Sequence, residues 1–183
     1  MKVIGIVGMP ASGKGEVSRV ARDLGIPVVV MGDAIREQVR AAGLPLTDAN
    51  CGAIAGKLRA DLGMDAIARI TIPIIEETGA PVVLVDGIRG DYEVATFKEH
   101  FPEFTLIGIG SSFETRYRRL AERGRSDDFL TVEELHLRDE RELGWGLGRA
   151  LEEADCLITN EGTLEEFTAE VRALLCRLGG IGE

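Results

Sequence analysis

Gly8-Met9-Pro10-Ala11-Ser12-Gly13-Lys14-Gly15, directly after the apolar run Val3-Ile4-Gly5-Ile6-Val7, decides the fold of this chain. The octet has the spacing of a phosphate-binding loop: two glycines five apart and then a lysine, set between a strand and a helix. In that arrangement backbone N–H groups converge on phosphate oxygens and the helix N-terminus adds partial positive charge. The lysine reaches the β- and γ-phosphates. The next stretch, Glu16-Val17-Ser18-Arg19-Val20-Ala21-Arg22, reads as an amphipathic helix, which is the context the string requires. Gly8 to Glu16 are therefore expected to bind a nucleotide, with ATP and Mg2+ as cofactors.

Working outward, 183 residues with 45% apolar and 28% charged side chains match an ordinary globular domain, and one domain over 1–183 is expected. No apolar run approaches the ~20 residues that span a bilayer. The N-terminus enters a strand at once, without a signal peptide, so a cytoplasmic location and no membrane partner are expected. The three cysteines (Cys51, Cys156, Cys176) are scattered, fitting neither a disulfide framework nor a metal site. A net charge of −10 argues against sequence-independent nucleic-acid binding. Seven arginines nevertheless crowd between Arg116 and Arg141, in a chain with four lysines, and mark a candidate anion site.

Strands are predicted at Lys2–Val7, Pro27–Met31, Val82–Asp86, Thr105–Ile109 and Cys156–Thr159. Four are nearly continuous Val/Ile/Leu, as buried parallel strands are. Helical stretches lie between them, and Ser111-x-x-Glu114, Thr131-x-x-Glu134 and Thr163-x-x-Glu166 read as capping boxes. Repeated βα units imply a parallel sheet with helices on both faces, which binds ligands beyond the carboxyl ends of its strands.

The residues after each strand carry the chemistry. Gly32-Asp33-Ala34-Ile35-Arg36 follows the second; Asp33 is either a helix cap or a crevice group, and Arg36 can face the crevice. Asp86-Gly87-Ile88-Arg89 ends the third, where an aspartate suits a magnesium-holding position and Arg89 projects over the same edge. After the fourth, Arg116, Arg119 and Arg123 stand at helical spacing on one face. Gly124-Arg125-Ser126-Asp127-Asp128 then leads to a further helix with Arg138 and Arg141. Arginines on both sides of a short polar loop suit closure over a polyphosphate. After the fifth strand, Asn160-Glu161-Gly162-Thr163 either borders a base or simply caps a helix. His100 and His136 read as surface residues, and Trp145 as a packing anchor or a substrate contact.

These pieces together resemble a small P-loop nucleoside monophosphate kinase of the adenylate kinase type. The loop is similar to that family's G-x-P-x-x-G-K-G-T, Gly32–Arg36 to T-G-D-x-x-R, and Asp86–Arg89 to D-G-F-P-R. Gly124–Asp128 with Arg138 resembles the short lid of pyrimidine monophosphate kinases, and Ala154–Thr163 a segment of dephospho-CoA kinases. More closely, Met31-Gly32-Asp33, Asp86–Gly90 and Arg123–Asp128 resemble an archaeal family of adenylate-kinase-related P-loop proteins. The resemblance implies a three-layer P-loop NTPase fold of class α/β, with a five-stranded parallel sheet, an acceptor-binding insert about 33–79 and a lid about 124–141. It assigns Arg119 to the adenine, Arg123 to phosphate, and Arg36 to the acceptor phosphate. Two departures stand out: Glu16 replaces the hydroxyl residue after Lys14-Gly15, and Met31 replaces the threonine before Gly32.

The expected reaction is transfer of the γ-phosphoryl of Mg-ATP to a nucleoside monophosphate or another small phosphorylated or hydroxyl acceptor. Lys14, Arg89, Arg123, Arg125 and Arg138 are the expected catalytic residues. Asp33, Arg36 and Arg89 are expected to bind the acceptor, and Asp86, with Asp33 through water, to hold the metal. The alternatives are a dephospho-CoA kinase-like enzyme and a regulatory nucleotide-binding module with weak hydrolysis. A monomer or homodimer is expected.

Overall fold

The computed structural model describes the backbone of residues 1–123 and 131–181, and the side chains of 1–122 and 131–181. Five strands, β1 (Lys2–Gly8), β2 (Val28–Val30), β3 (Val82–Ile88), β4 (Glu103–Gly110) and β5 (Cys156–Thr159), form one sheet in the order β2-β3-β1-β4-β5. Every pairing is parallel. The strand bearing the phosphate loop is therefore central, buried on both faces, as its uninterrupted apolar run requires.

Alternation along the strands separates two cores. Ile4, Ile6 and Leu84 face α1 (Lys14–Asp23) and α9 (Leu164–Gly179), through Val17, Val20, Phe167 and Val171. Val3, Val7, Val83 and Val85 face the opposite layer. That layer is built from α2 (Met31–Ala41), α4 (Ala66–Glu77), α5 (Asp91–His100) and α8 (Leu147–Glu152). α3 (Asp48–Leu62) packs on α2 and α4 rather than on the sheet. Two further helices, α6 (Phe113–Arg123) and α7 (Val132–Gly144), follow β4.

All five predicted strands exist, β5 with its predicted bounds and the others with altered ends. β2 stops at Val30, and Met31, buried at the start of α2, opens the helix instead. β3 runs on through Asp86 to Ile88, so Asp86 lies inside the strand. The register against β1 shifts between Ile6 and Val7, where Gly87 takes φ +107°, a conformation open chiefly to glycine. β4 spans eight residues rather than five.

The capping boxes at Thr131/Glu134 and Thr163/Glu166 are present with both reciprocal bonds. The box expected at Ser111 is not the one used. Ser112 accepts from the Thr115 amide at 3.3 Å, and the carboxylate that braces this turn is Glu161, which accepts from the Thr115 hydroxyl at 2.7 Å. Asp33 does not cap α2 either: the helix has already begun at Met31, and Asp33 sits in its first turn. Among the described residues no helix is long and apolar enough to cross a membrane.

Candidate functional site

The carboxyl ends of the strands open into a cleft of about 870 Å³. One wall is the phosphate loop. Ala11 takes φ +61° and Gly13 φ +114°, and this left-handed backbone folds the loop into a nest of amides at the start of α1. Gly13, the N-cap, gives α1 no side-chain cap, so the first helical amides are left for an anion. Lys14 donates to the carbonyls of Gly8 and, at 2.9 Å, Met9. Burial, and next the neighbouring Arg89, lower its ammonium from the usual 10.5 to about 7, against the opposing pull of Glu142 and Asp86. Pro10, Ala11, Gly13, Lys14, Gly15 and Glu16 line the cleft. Gly8, Met9 and Ser12 support the loop from behind.

Asp86 lines the floor beside Lys14. Its Oδ2 accepts from the hydroxyl of Ser18 at 2.8 Å. The Glu16 carboxylate accepts from Arg19 at 2.7 Å, and both residues line the cleft. The charge that stands in place of the motif's hydroxyl is thus balanced by a neighbour one helical turn on.

The cationic wall comes from β3 and α7. Arg89 and Arg138, 49 residues apart in sequence, converge on Glu142, which is 2% exposed. Burial alone would raise that carboxyl, but Arg89, Arg138 and Lys14 together hold it at about 2. Arg138 also pairs with Asp48 at 3.3 Å, and Arg141 donates to both Asp48 oxygens at 3.0 and 2.8 Å. Asp48 opens α3, so this pair joins the insert to α7. Sequence reasoning did not single out Glu142, and it placed Asp48, within Thr47-Asp48-Ala49-Asn50, in the acceptor-binding insert without a partner. The four-residue spacing of Arg138 and Glu142 on one helix was a local signal; the meeting with Arg89 was not.

Arg119 lines the cleft next to the loop and donates to Asn160 Oδ1 at 2.9 Å and to Ser111 Oγ at 3.3 Å. Asn160 in turn donates to the Ser12 carbonyl at 2.9 Å. The turn after β5 therefore belongs to the site, as a brace. Arg116 corrects the expectation of a shared basic face. It is buried, bidentate on Asp139 at 2.9 and 2.6 Å, and donates to the Pro10 carbonyl at 3.1 Å. It joins α6, α7 and the phosphate loop and is not free to meet a ligand.

The opposite wall is the segment between β2 and β3. Met31, Ile35, Cys51, Ala55 and Ile67 supply an apolar lining. Arg36 lines it as well, hydrogen-bonded to Asp33. The Asp33 carboxylate is largely exposed and outside the cleft lining, so the structure does not bring it to Asp86 as a partner in metal binding. Deeper in, Arg59 pairs with the buried Glu93 at 2.6 Å, and its guanidinium lies 4.3 Å above the Trp145 ring. Trp145 is thus both packing anchor and cleft wall. Arg125 and the rest of 124–130 lie outside the described residues, as does the side chain of Arg123. The described part of the expected lid, 131–141, belongs mostly to α7 and is anchored by the buried Leu135 and Asp139.

These groups fit a nucleotide with a hard divalent cation. Among the described residues no cluster of three or more His, Cys, Asp or Glu could hold a metal alone. Magnesium bound mainly through phosphates and water requires only one or two carboxylates, and Asp86 provides one.

Comparison with known proteins agrees with this geometry. A family model described as an AAA domain matches residues 7–136. A UPF0200 protein of Methanoculleus marisnigri is 84% identical over 98% of both chains. Among solved structures, TT1252 from Thermus thermophilus superposes with a TM-score of 0.63 at 20% identity, covering 100% of this chain and 98% of that one. A shikimate kinase from Bacteroides thetaiotaomicron superposes with a TM-score of 0.61 at 16% identity, covering 97% and 98%. At these identities the likeness is one of fold, the three-layer α/β fold of P-loop kinases.

Proposed function

The chain belongs to the archaeal UPF0200 family and carries an AAA-type P-loop domain in a kinase fold, and from that premise we propose that it is an ATP-dependent phosphotransferase. It moves the γ-phosphoryl group of Mg-ATP to a nucleoside monophosphate or similar small acceptor. The observation that carries this reading is the single cleft faced by the phosphate loop, Asp86, Arg89, Arg119 and Arg138, with an apolar wall opposite. A module that only bound nucleotide would have no use for a second wall across from the phosphates.

An acceptor oxygen attacks the γ-phosphorus in line, the bond to the β–γ bridging oxygen breaks, and ADP leaves. Protein groups contribute position and charge. Lys14 and the loop amides hold the β- and γ-phosphates, and Arg119 lies against the base. Arg89 and Arg138 meet the transferring group. Arg123 and Arg125 are assigned to it on sequence resemblance alone. Arg36 and Arg89 hold the acceptor. Asp86 would hold magnesium, which supplies charge neutralisation between the β- and γ-oxygens.

The test is ADP release from Mg-ATP with AMP, CMP, UMP, dTMP, dephospho-CoA or no acceptor, with Lys14→Ala as the blank. Acceptor-dependent turnover supports the reading and names the substrate class. Nucleotide binding with only slow, acceptor-independent hydrolysis across a widened panel replaces it with a regulatory NTPase.

A further inference from the structure

In the general phosphate-loop motif a hydroxyl stands directly after the lysine, placed on the metal, whereas the G-K-G-T form that this loop resembles carries it one residue later. Here the first of these positions is Gly15, where an added Cβ would meet nothing within 4 Å, and the second is Glu16. Glu16 supplies no hydroxyl, and its carboxylate is engaged with Arg19. On α1, residues three or four apart share a face, so Ser18 lies one turn further along the face that carries Lys14 and Gly15. Ser18 is 3% exposed, and its hydroxyl donates to Asp86 Oδ2 at 2.8 Å.

A serine in the middle of a helix commonly bonds back to a carbonyl of the preceding turn. Ser18 instead reaches across to β3 and the carboxylate that faces the cleft. A carboxylate held at one oxygen by a fixed hydroxyl loses rotational freedom, and its other oxygen is left to the cleft side. Groups that orient a metal-binding carboxylate in this way typically change metal affinity by 10- to 100-fold when removed.

We infer that Ser18 is a positioning residue for the cation side of the site: it takes over, from one turn further along α1, the task of orienting Asp86 toward a nucleotide-bound divalent cation. The inference rests on the phosphotransferase reading, and its test separates the two.

The non-hydrolysable nucleotide AMP-PNP is titrated calorimetrically into wild type, Ser18→Ala and Ser18→Thr, each in saturating MgCl2 and in EDTA. Wild type binds more tightly with magnesium than without. Ser18→Ala matches wild type in EDTA but loses about tenfold or more of the gain from magnesium, whereas Ser18→Thr, which keeps the hydroxyl, retains it. Equal gains in wild type and Ser18→Ala overturn the inference and leave the phosphotransferase reading standing. Equal weakening of Ser18→Ala in both buffers also overturns it, because that is the mark of a purely structural hydroxyl. Failure of wild type to bind AMP-PNP in either buffer overturns both readings. If Ser18→Ala does not fold, Ser18→Cys, of similar shape but a poor donor, carries the same expectation.

Discussion

The side-chain amide of Asn160, at the end of β5, donates to the backbone carbonyl of Ser12 at 2.9 Å, so the last strand of the chain holds the loop that follows the first. The contact is close because Gly13 has no side chain: a Cβ there would lie 2.3 Å from Asn160 Nδ2 and 3.2 Å from the Phe167 ring. The same amide accepts from Arg119. The phosphate loop and the cleft-lining Arg119 are therefore braced by one residue.

Gly13→Ala is expected to cost about 2 kcal/mol or more of stability, from the left-handed φ and the collision with Asn160. It should also weaken ATP binding well beyond tenfold. Urea unfolding and calorimetric titration read the two effects. Asn160→Ala removes about 1 kcal/mol of hydrogen bonding and is expected to weaken ATP binding about fivefold while the protein stays folded.

Lys14 predicts proton uptake on nucleotide binding. Its ammonium titrates at about 7 in the free protein and returns toward 10.5 against polyphosphate. At about pH 8, ATP binding should take up close to one proton, and affinity should fall as the pH rises further. Titrations in two buffers of different ionisation enthalpy measure this, and Lys14→Ala should abolish it. The sign for folding follows from the same shift. Between about 7 and 10.5 the unfolded chain keeps a proton that the folded protein releases, so this group's contribution to stability rises with pH across that window.

Arg89→Ala and Arg138→Ala are each expected to lower kcat by about 10³-fold or more, the scale of a cationic clamp on a transferring phosphoryl group. Near-normal turnover in both, against the acceptor found in the panel, would remove them from the mechanism. Glu142→Gln leaves two guanidinium groups facing a neutral amide and is expected to cost about 3 kcal/mol at neutral pH. Because the Glu142 carboxyl titrates at about 2 when folded and near 4.5 when unfolded, that deficit should shrink as pH falls through this range. Denaturant unfolding at several pH values checks it.

Arg59 and Glu93 form a pair buried on both sides. Arg59→Met alone should cost about 3–5 kcal/mol, since it strands a buried carboxylate, whereas adding Glu93→Gln should recover part of that loss. A double-mutant cycle by denaturant unfolding measures the coupling.

The sheet was legible because each parallel strand is a short apolar run bounded by turn chemistry; its order, with β1 at the centre, comes from the fold. The clustering of Lys14, Asp86, Arg89, Arg119 and Arg138 was legible too, because topology alone brings the strand ends together. What sequence patterns concealed were the partners of those residues. Arg116, Arg119 and Arg123 share one helical face by their spacing, yet Arg116 is buried on Asp139, and only the packing of α7 against α6 decides that. Glu142 reads as an ordinary helix acid, and Asp48 as one residue of the insert, until the fold aims arginines at them. The start of α2, and with it the cap reading of Asp33, was misplaced because the end of β2 depends on three backbone pairings to β3 rather than on its own apolar pattern.

The central place of β1 also has a bearing on how the chain reaches its native state. Its two neighbours are β3 and β4, so Lys2 is paired with Val82 on one side and Glu103 on the other. None of its sheet contacts is local, and closing such long segments slows folding. During synthesis, residues 8–15 gain both strands that flank β1 only after about a hundred more residues have followed.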